Sequence, residues 1–281
     1  MSSNPAVPAR PEVSGRAGGD RPLLSTRGLV KRFGPVEALS DIDLDVPPGQ
    51  VTALLGDNGA GKSTLIKTIS GIHEPDGGQI AWDGDQVRIR GPKDASALGI
   101  ATVYQDLALC DNLDIVENMF LGREQVNRGL LNEPTMEEAA RQTLSDLSVT
   151  TVRSIRQPVG SLSGGQRQAV AVARAVMQNA RLVIMDEPTA ALGVAQTRMV
   201  LDLISTLRDR GIAVLLISHN LNDVFAVADR LAVLYLGRMA AQGPISQFDT
   251  QSAVHAITTG NRPGGDSRDG RAEIASQKGT A

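Results

Sequence analysis

The segment GDNGAGKST, residues 56–64, restricts the possible fold more than any other part of the sequence. It matches the pattern G-x-x-x-x-G-K-[ST] at every fixed position. The apolar run VTALL precedes it and predicts a buried strand, and KSTLIKTISG follows with helical spacing and a closing Gly71. A glycine-rich loop between a strand and a helix can turn its backbone N–H groups, and the positive end of the helix, toward phosphate. The sequence therefore predicts a phosphate-binding loop in an α/β protein.

The loop residues have distinct expected roles. Lys62 is expected to reach the β- and γ-phosphates of a nucleotide, and the Ser63 hydroxyl to ligate Mg²⁺. A chance glycine turn with a surface lysine is the structural alternative, but the flanking strand and helix disfavour it. The residues predicted to bind the nucleotide here are Gly56, Asp57, Asn58, Gly59, Ala60, Gly61, Lys62, Ser63 and Thr64.

The remaining pattern predicts an α/β protein with a parallel-sheet core, an N-terminal antiparallel β subdomain and an inserted helical subdomain. Alternation in STRGLVKRF and DIDLDV favours antiparallel strands, and Asp83-Gly84 predicts a hairpin turn. Strand–helix alternation after residue 180 favours parallel strands. We place the folded part at residues 23–260 with the helical insertion at about 111–180. The Pro-, Gly- and Ser-rich ends, residues 1–22 and 261–281, are predicted to be disordered.

A pair of acids ends the predicted strand in RLVIMDEP. Ligand sites of α/β sheets lie at the carboxyl ends of strands. Asp186 is therefore expected to hold the Mg²⁺ shell. Because Pro188 indicates that the chain is already turning, Glu187 is expected to polarise the attacking water as a general base. The structural alternative is that the acids only cap the next helix.

A second glycine-rich segment, LSGGQ at residues 162–166, lies about a hundred residues after the first. Ser163 is the expected N-cap of the helix that follows. This helix belongs to the predicted helical insertion, away from the sheet edge that carries Lys62. The segment therefore cannot hold the same nucleotide from the same direction as the phosphate-binding loop.

With these motifs in this order, residues 23–260 resemble the ATP-binding subunit of an ABC (ATP-binding cassette) transporter. The resemblance implies that Gln105 contacts metal and water, that His219 contacts the γ-phosphate and that Phe33 stacks on adenine. It makes Glu187, His219, Gln105 and Lys62 the catalytic residues and Ser63, Gln105 and Asp186 the metal ligands. It implies ATP and Mg²⁺ as cofactors. In isolation His219 would more often be structural, Gln105 an exposed side chain, and Phe33 a core residue.

The resemblance also implies a dimer. Two cassettes pack head to tail, so that Ser163, Gly164 and Gly165, with Gln166, grip the γ-phosphate held by the other cassette. ATP joins the pair and hydrolysis releases it. One position departs from the family, since Gly193 stands where an aspartate usually reaches across the dimer.

EPTAALGV and YQDLALCDNLDIVENMFLGRE resemble the cassettes of bacterial monosaccharide importers of the ribose/xylose/fructose kind. This implies membrane permease subunits, a sugar-binding protein outside the cytoplasm that acts through them, and a homodimer, because the chain has one phosphate loop. It implies a peripheral position on the cytoplasmic side of the inner membrane.

Composition agrees with this interpretation. No apolar run approaches the roughly 20 residues that span a bilayer. The net charge of −3, without a basic block, disfavours nucleic acid as a partner. The single cysteine, Cys110, excludes an intrachain disulfide and favours a reducing compartment.

Two alternatives remain open at this stage. One is a soluble cassette ATPase that acts in iron–sulfur cluster assembly or on the ribosome. The other is a module that senses ATP without hydrolysing it, against which the intact Glu187, His219 and LSGGQ argue.

Overall fold

The computed structural model describes residues 21–127, 129–149 and 151–261. The terminal segments predicted to be disordered lie, except for residues 21, 22 and 261, outside the described residues. The strands are β1 (Leu24–Phe33), β2 (Val36–Val46), β3 (Val51–Leu55), β4 (Gly77–Trp82), β5 (Asp85–Val87), β6 (Ile100–Val103), β7 (Val126–Asn127), β8 (Leu130–Leu131), β9 (Leu182–Asp186), β10 (Ala213–Ile217), β11 (Arg230–Tyr235) and β12 (Arg238–Pro244). The helices are α1 (Lys62–Ile69), α2 (Pro92–Leu98), α3 (Ile115–Phe120), α4 (Glu133–Asp146), α5 (Gly164–Met177), α6 (Val194–Asp209), α7 (Leu221–Val227) and α8 (Thr250–Thr259).

A six-stranded sheet with the order β12-β11-β3-β10-β9-β6 forms the centre of the fold. Its strands run parallel except β12, which pairs antiparallel with β11 at the edge. All five residues of β3 and all five of β10 are buried. Uninterrupted apolar runs suit strands that are covered on both faces. The predicted parallel α/β core is confirmed.

The two faces of this sheet belong to two separate hydrophobic clusters. Alternate residues of β3 point to opposite sides, with Val51, Ala53 and Leu55 in one cluster and Leu54 in the other. The first cluster includes residues of α3–α7, and the second includes α1 and the antiparallel sheet. The central sheet is therefore the middle layer of the fold, and its strand ends are held between two packed layers.

The antiparallel sheet has the order β2-β1-β4-β5. Its hairpin between β4 and β5 turns through Asp83 at φ 53° and Gly84 at φ 76°. Two left-handed central residues are typical of a type I′ turn, for which Asp-Gly is a favoured pair. The predicted antiparallel subdomain and this hairpin are confirmed.

Helices α3, α4 and α5 lie between β6 and β9 in the sequence, where a helical insertion was predicted. The same stretch contains the short strand pair β7–β8, which the sequence did not predict. α5 begins with Ser163 as its N-cap, as predicted. Among the described residues, we find no helix with the length and apolar character needed to cross a bilayer.

Candidate functional site

The phosphate loop, residues 56–64, connects β3 to α1 and is packed against two neighbouring strands. Gly56 has φ 153°, and a Cβ there would lie 2.5 Å from the Leu234 carbonyl oxygen. Gly61 has φ 104°, and a Cβ there would lie 2.9 Å from the Ala38 carbonyl oxygen. Both positions therefore require glycine for backbone conformation and for close approach. The Gly237 N–H donates to the Ala60 carbonyl at 3.0 Å and holds the outer side of the loop.

Lys62 and Ser63 are the first residues of α1, at the end where the helix dipole is positive. The Lys62 ammonium group donates to the carbonyl oxygens of Gly56 at 2.7 Å and Asp57 at 3.0 Å, so it crosses the mouth of the loop. The loop lines a cavity of about 300 Å³ together with side chains from β6, β9 and β10 segments. Its lining residues are Ala38, Asn58, Gly59, Gly61, Lys62, Ser63, Thr64, Gln105, Asp186, Glu187 and Ile217. We call this cavity the phosphate cleft.

Asp186 is the last residue of β9, is partly buried and lines the cleft. Burial raises the pKa of its carboxyl above the ordinary value, and the negative charge of Glu187 adds to the rise, whereas Lys62 and Lys67 oppose it. A cation bound at the cleft would stabilise the ionised form. The oxygens of Ser63, Gln105 and Asp186 line the same cleft, and hydroxyl, amide and carboxylate oxygens are ligands that suit Mg²⁺. The residues present fit this metal.

Among the described residues no group of three or more His, Cys, Asp and Glu side chains converges as a metal site. The candidate site has one carboxylate ligand, and such Mg²⁺ sites complete their coordination with water and substrate phosphates.

Glu187 follows Asp186 in a left-handed backbone conformation, with φ 50°. Its N–H donates to the Ile217 carbonyl at 2.9 Å, so the turn starts while the chain is still joined to β10. The Glu187 carboxylate lies 2.7 Å from Nδ1 of His219, the distance of a hydrogen bond in which the ring N–H donates. The side chain of Glu187 is 18% exposed and that of His219 is 74% exposed. The pair therefore reaches from the cleft to the surface.

Gln105 follows β6, and its side chain is exposed where it lines the cleft. The structure therefore brings Lys62, Ser63, Gln105, Asp186 and Glu187 together, with His219 joined to them through Glu187. Because β6, β9 and β10 are neighbours in a parallel sheet, their carboxyl ends meet at one edge. The individual roles of these residues stay predictions.

The signature segment, residues 162–166, is not part of the phosphate cleft. Ser163 and Gln166 form a capping box, with the Ser163 N–H donating to the Gln166 side chain at 2.9 Å and the Gln166 N–H donating to Ser163 Oγ at 3.4 Å. The Gln166 amide also donates to the Thr151 carbonyl at 2.7 Å. The helix start formed by Ser163, Gly164, Gly165 and Gln166 is therefore capped and lies outside its own chain's phosphate cleft.

Phe33 ends β1 and does not line the phosphate cleft. The residue is 44% exposed, which excludes the core role that a phenylalanine would more often have. The His73 ring meets it edge to face with centroids 5.2 Å apart, and Lys31 Nζ lies 5.5 Å from its centroid. The two residues are 40 positions apart, so no sequence motif indicates their contact. Stacking of the ring on adenine stays a prediction.

A family model and two similar proteins indicate the same family. The family model described as ABC transporter matches residues 39–190. The chain is 48% identical over 249 residues to the fructose import ATP-binding protein FrcA of Rhizobium meliloti, covering 86% of this chain and 96% of that protein. It is 49% identical over 237 residues to the xylose/arabinose import ATP-binding protein XylG of Sulfolobus acidocaldarius, covering 84% and 94%.

A solved structure agrees with these relatives. The ADP conformation of MJ1267, an ATP-binding cassette of an ABC transporter, superposes with a TM-score of 0.72 at 26% identity. The match covers 85% of this chain and 96% of that one.

Proposed function

This chain belongs to the ABC transporter family, and from that membership we propose that it is the ATPase that energises a membrane importer of a monosaccharide. The observation that carries the proposal is the phosphate cleft, in which a phosphate loop, Asp186 and the histidine-paired Glu187 come together. Relatives that match most of the chain at nearly half identity are import ATP-binding proteins for fructose and for xylose or arabinose. These relatives do not favour a soluble cassette outside transport or a non-hydrolysing sensor.

The chain's own residues suggest how ATP is bound and cleaved. The loop N–H groups and Lys62 would hold the β- and γ-phosphates, while Ser63, Asp186 and Gln105 would hold Mg²⁺. When bound, Mg²⁺ neutralises negative charge that develops on the phosphate oxygens. Glu187 accepts a proton from the attacking water, and the hydrogen bond from His219 keeps its carboxylate oriented. Phe33, which is partly exposed, is the proposed stacking partner of adenine.

A second copy of the chain is needed to complete this site. The signature segment lies on α5, outside its own phosphate cleft, and its capping box leaves a preformed helix start for an anion. In a head-to-tail pair, Ser163, Gly164 and Gly165 of one copy face the γ-phosphate in the other. ATP would then join the copies and hydrolysis would separate them, which gives a motion that an attached subunit can follow.

We place the permease contact at a groove beside Gln105. The groove has a volume of about 780 Å³ and lies between α2, β6 and α5, with Tyr104 and Asp106 of the Gln105 segment in its wall. Its charged side chains are three cations, Lys93, Arg123 and Arg174, and one acid, Asp106. Burial lowers the pKa of Arg174. A cytoplasmic permease segment with acidic side chains fits this charge balance and would sense movement of Gln105 directly.

This assignment places the chain on the cytoplasmic face of the inner membrane. The sugar would be selected by the permease and by an extracytoplasmic binding protein, which this chain contacts only through the permease.

The test is recovery of the tagged chain from gently solubilised membranes of its host, with partners identified by mass spectrometry. A polytopic permease with a sugar-binding protein is the expected result, and recovery with water-soluble proteins alone would remove transport from the proposal. Arg123→Glu reverses a charge in the groove and should reduce permease recovery. Arg141→Glu makes the same change on α4, away from the groove residues, and should leave recovery unchanged.

A further inference from the structure

A second hydrogen bond joins the two turns that carry Glu187 and His219. The Thr189 hydroxyl donates to the Asp223 carboxylate at 2.8 Å. Thr189 comes two residues after Glu187, and Asp223 comes four residues after His219 on the first turn of α7. Asp223 is only 8% exposed, which is unusual for a carboxylate outside the phosphate cleft. The two turns are thus linked both at the cleft and behind it.

The turn that begins at Glu187 is strained. Glu187 has φ 50° and Ala191 has φ 59°, so two residues with side chains occupy the left-handed region within five positions. Such conformations are unfavourable for residues with a side chain and persist only where the surrounding structure holds them. Backbone hydrogen bonds supply part of this restraint. The Glu187 N–H donates to the Ile217 carbonyl of β10, and the Ala190 N–H donates to the Glu187 carbonyl at 3.1 Å. Between these positions, Thr189 is held by its side chain.

The other end of the link is equally well held. Asn220 caps α7, and its side chain accepts from the Asn222 N–H at 3.0 Å, while the Val224 N–H donates to the Asn220 carbonyl at 3.1 Å. Asp223 therefore extends from a fixed helix start that directly follows His219. The Thr189–Asp223 bond sets the distance between the start of α7 and the strained turn. Because His219 precedes α7 and Glu187 begins the turn, the bond also helps to hold the 2.7 Å Glu187–His219 contact.

We propose that Thr189 and Asp223 are positioning residues for ATP hydrolysis, which act by holding Glu187 in its left-handed conformation against His219. The inference rests on the proposed role of Glu187 as the general base. Neither residue lines the phosphate cleft, so the pair acts on the hydrolytic step and not on nucleotide binding. A displacement of about 1 Å in a catalytic group can lower a rate by about 10²-fold.

The first test compares Thr189→Val with Thr189→Ser in the full-length chain. Valine keeps the volume of threonine and removes the hydroxyl, and serine keeps the hydroxyl. We expect Thr189→Val to lower kcat for ATP hydrolysis by about tenfold or more with KM changed less than twofold, and Thr189→Ser to recover most of the rate. Thr206→Val is the matched control, because it removes a hydroxyl that donates to a backbone carbonyl on the exposed side of α6. Its kcat should equal that of wild type.

A double variant separates positioning from folding. Thr189→Val leaves a buried carboxylate without this donor, which destabilises the fold, whereas Thr189→Val/Asp223→Leu removes both partners and is expected to melt nearer to wild type. The proposal requires kcat to stay low in the double variant although stability returns. Recovery of kcat together with the melting temperature would overturn it.

A background variant tests whether the pair acts through Glu187. In Glu187→Gln, adding Thr189→Val should change the residual rate less than twofold. An equal tenfold loss in both backgrounds would overturn the inference. If Glu187→Gln hydrolyses ATP at the wild-type rate, the proposed role of Glu187 as general base fails. If Glu187→Gln is impaired and Thr189→Val is not, only the positioning role of Thr189 and Asp223 fails.

Discussion

Gly193 offers the most direct test of how the turn after Glu187 is built. It is the N-cap of α6, with extended backbone at φ −72° and ψ 163°, and no side chain accepts from the first N–H groups of the helix. A Cβ at this position would meet no atom within 4 Å. Aspartate therefore fits without strain, and the resemblance to ABC cassettes places an aspartate there.

The expected gain follows from the helix start. An N-cap Asp is worth about 1 kcal/mol over Ala, because its carboxylate accepts from an otherwise unpaired N–H. No acid lies in the first turn of α6, so interaction with the helix dipole adds about 0.3–1 kcal/mol. For a domain of this size each kcal/mol raises the melting temperature by about 2–4 °C. Gly193→Asp should therefore melt about 3–8 °C above Gly193→Ala, which carries the same loss of glycine freedom in the unfolded chain.

Thermal unfolding followed by circular dichroism at neutral pH and low salt measures this difference. A Gly193→Asp melting temperature at or below that of Gly193→Ala would refute the capping geometry. Steady-state ATPase on the same two variants then addresses the dimer: if an acid here reaches a second cassette, the dependence of rate on ATP concentration becomes steeper for Asp alone.

Three other substitutions test the site and its surroundings. Glu187→Gln should lower kcat by about 10²–10⁴-fold while nucleotide binding is retained, measured by phosphate release and by titration with ATP; an unchanged rate would exclude Glu187 as the base. Because burial raises the pKa of Asp186, the folded chain holds that proton more tightly than the unfolded chain, and ionisation costs stability as pH rises. Asp186→Asn should therefore raise the melting temperature in Mg²⁺-free buffer at neutral pH, with a gain that disappears once the pH is below about 3.9, the ordinary aspartate pKa; a gain independent of pH would contradict this. Leu236 is 72% exposed with φ 45°, so Leu236→Asn should raise the melting temperature by about 2–4 °C through about 1 kcal/mol of relieved strain, and a decrease would show that the leucine contributes packing.

The strongest elements of the fold could be predicted because their residues suit one environment. β3, β9, β10 and β11 are mostly apolar and lie next to breakers, and such strands are stable only when both faces are covered. The hairpin at Asp83-Gly84 was predictable for a local reason, since that residue pair matches the turn conformation.

Other elements were missed because their neighbours determine them. β6 has four residues, and two of these are only partly buried, so its pairing with β9 is what makes it a strand. β12 is polar and ends at Pro244, which is tolerated because β12 is an edge strand. α2 has seven residues, too few for a helical period to emerge. Local propensity carries little information about such elements.

The sequence likewise predicts some features of the candidate site and not others. Spacing within a motif places Lys62, Ser63 and Asp186, because each lies on a strand end or helix start that the sequence also predicts. The Glu187–His219 contact spans 32 residues and depends on a left-handed turn, and the Thr189–Asp223 bond spans 34. Neither contact follows from spacing, because adjacent turns in a parallel sheet are distant in sequence.

The glycines of the signature segment also allow close packing within the chain. A Cβ at Gly164 would lie 2.7 Å from Leu192 Cδ2, and one at Gly165 would lie 2.4 Å from Met199 Cε. Phosphate binding alone would not require this closeness to the chain's own α6 and the turn before it. Leu192 belongs to the turn that begins with Glu187. The turn that supports hydrolysis in the chain's own phosphate cleft therefore contacts the signature segment, which is offered to the phosphate cleft of a second copy. The absence of a Cβ at residues 164 and 165 thus lets Leu192 and Met199 pack directly on the signature helix, so that the turn after Glu187 and the helix start offered to a second copy are in contact within one chain.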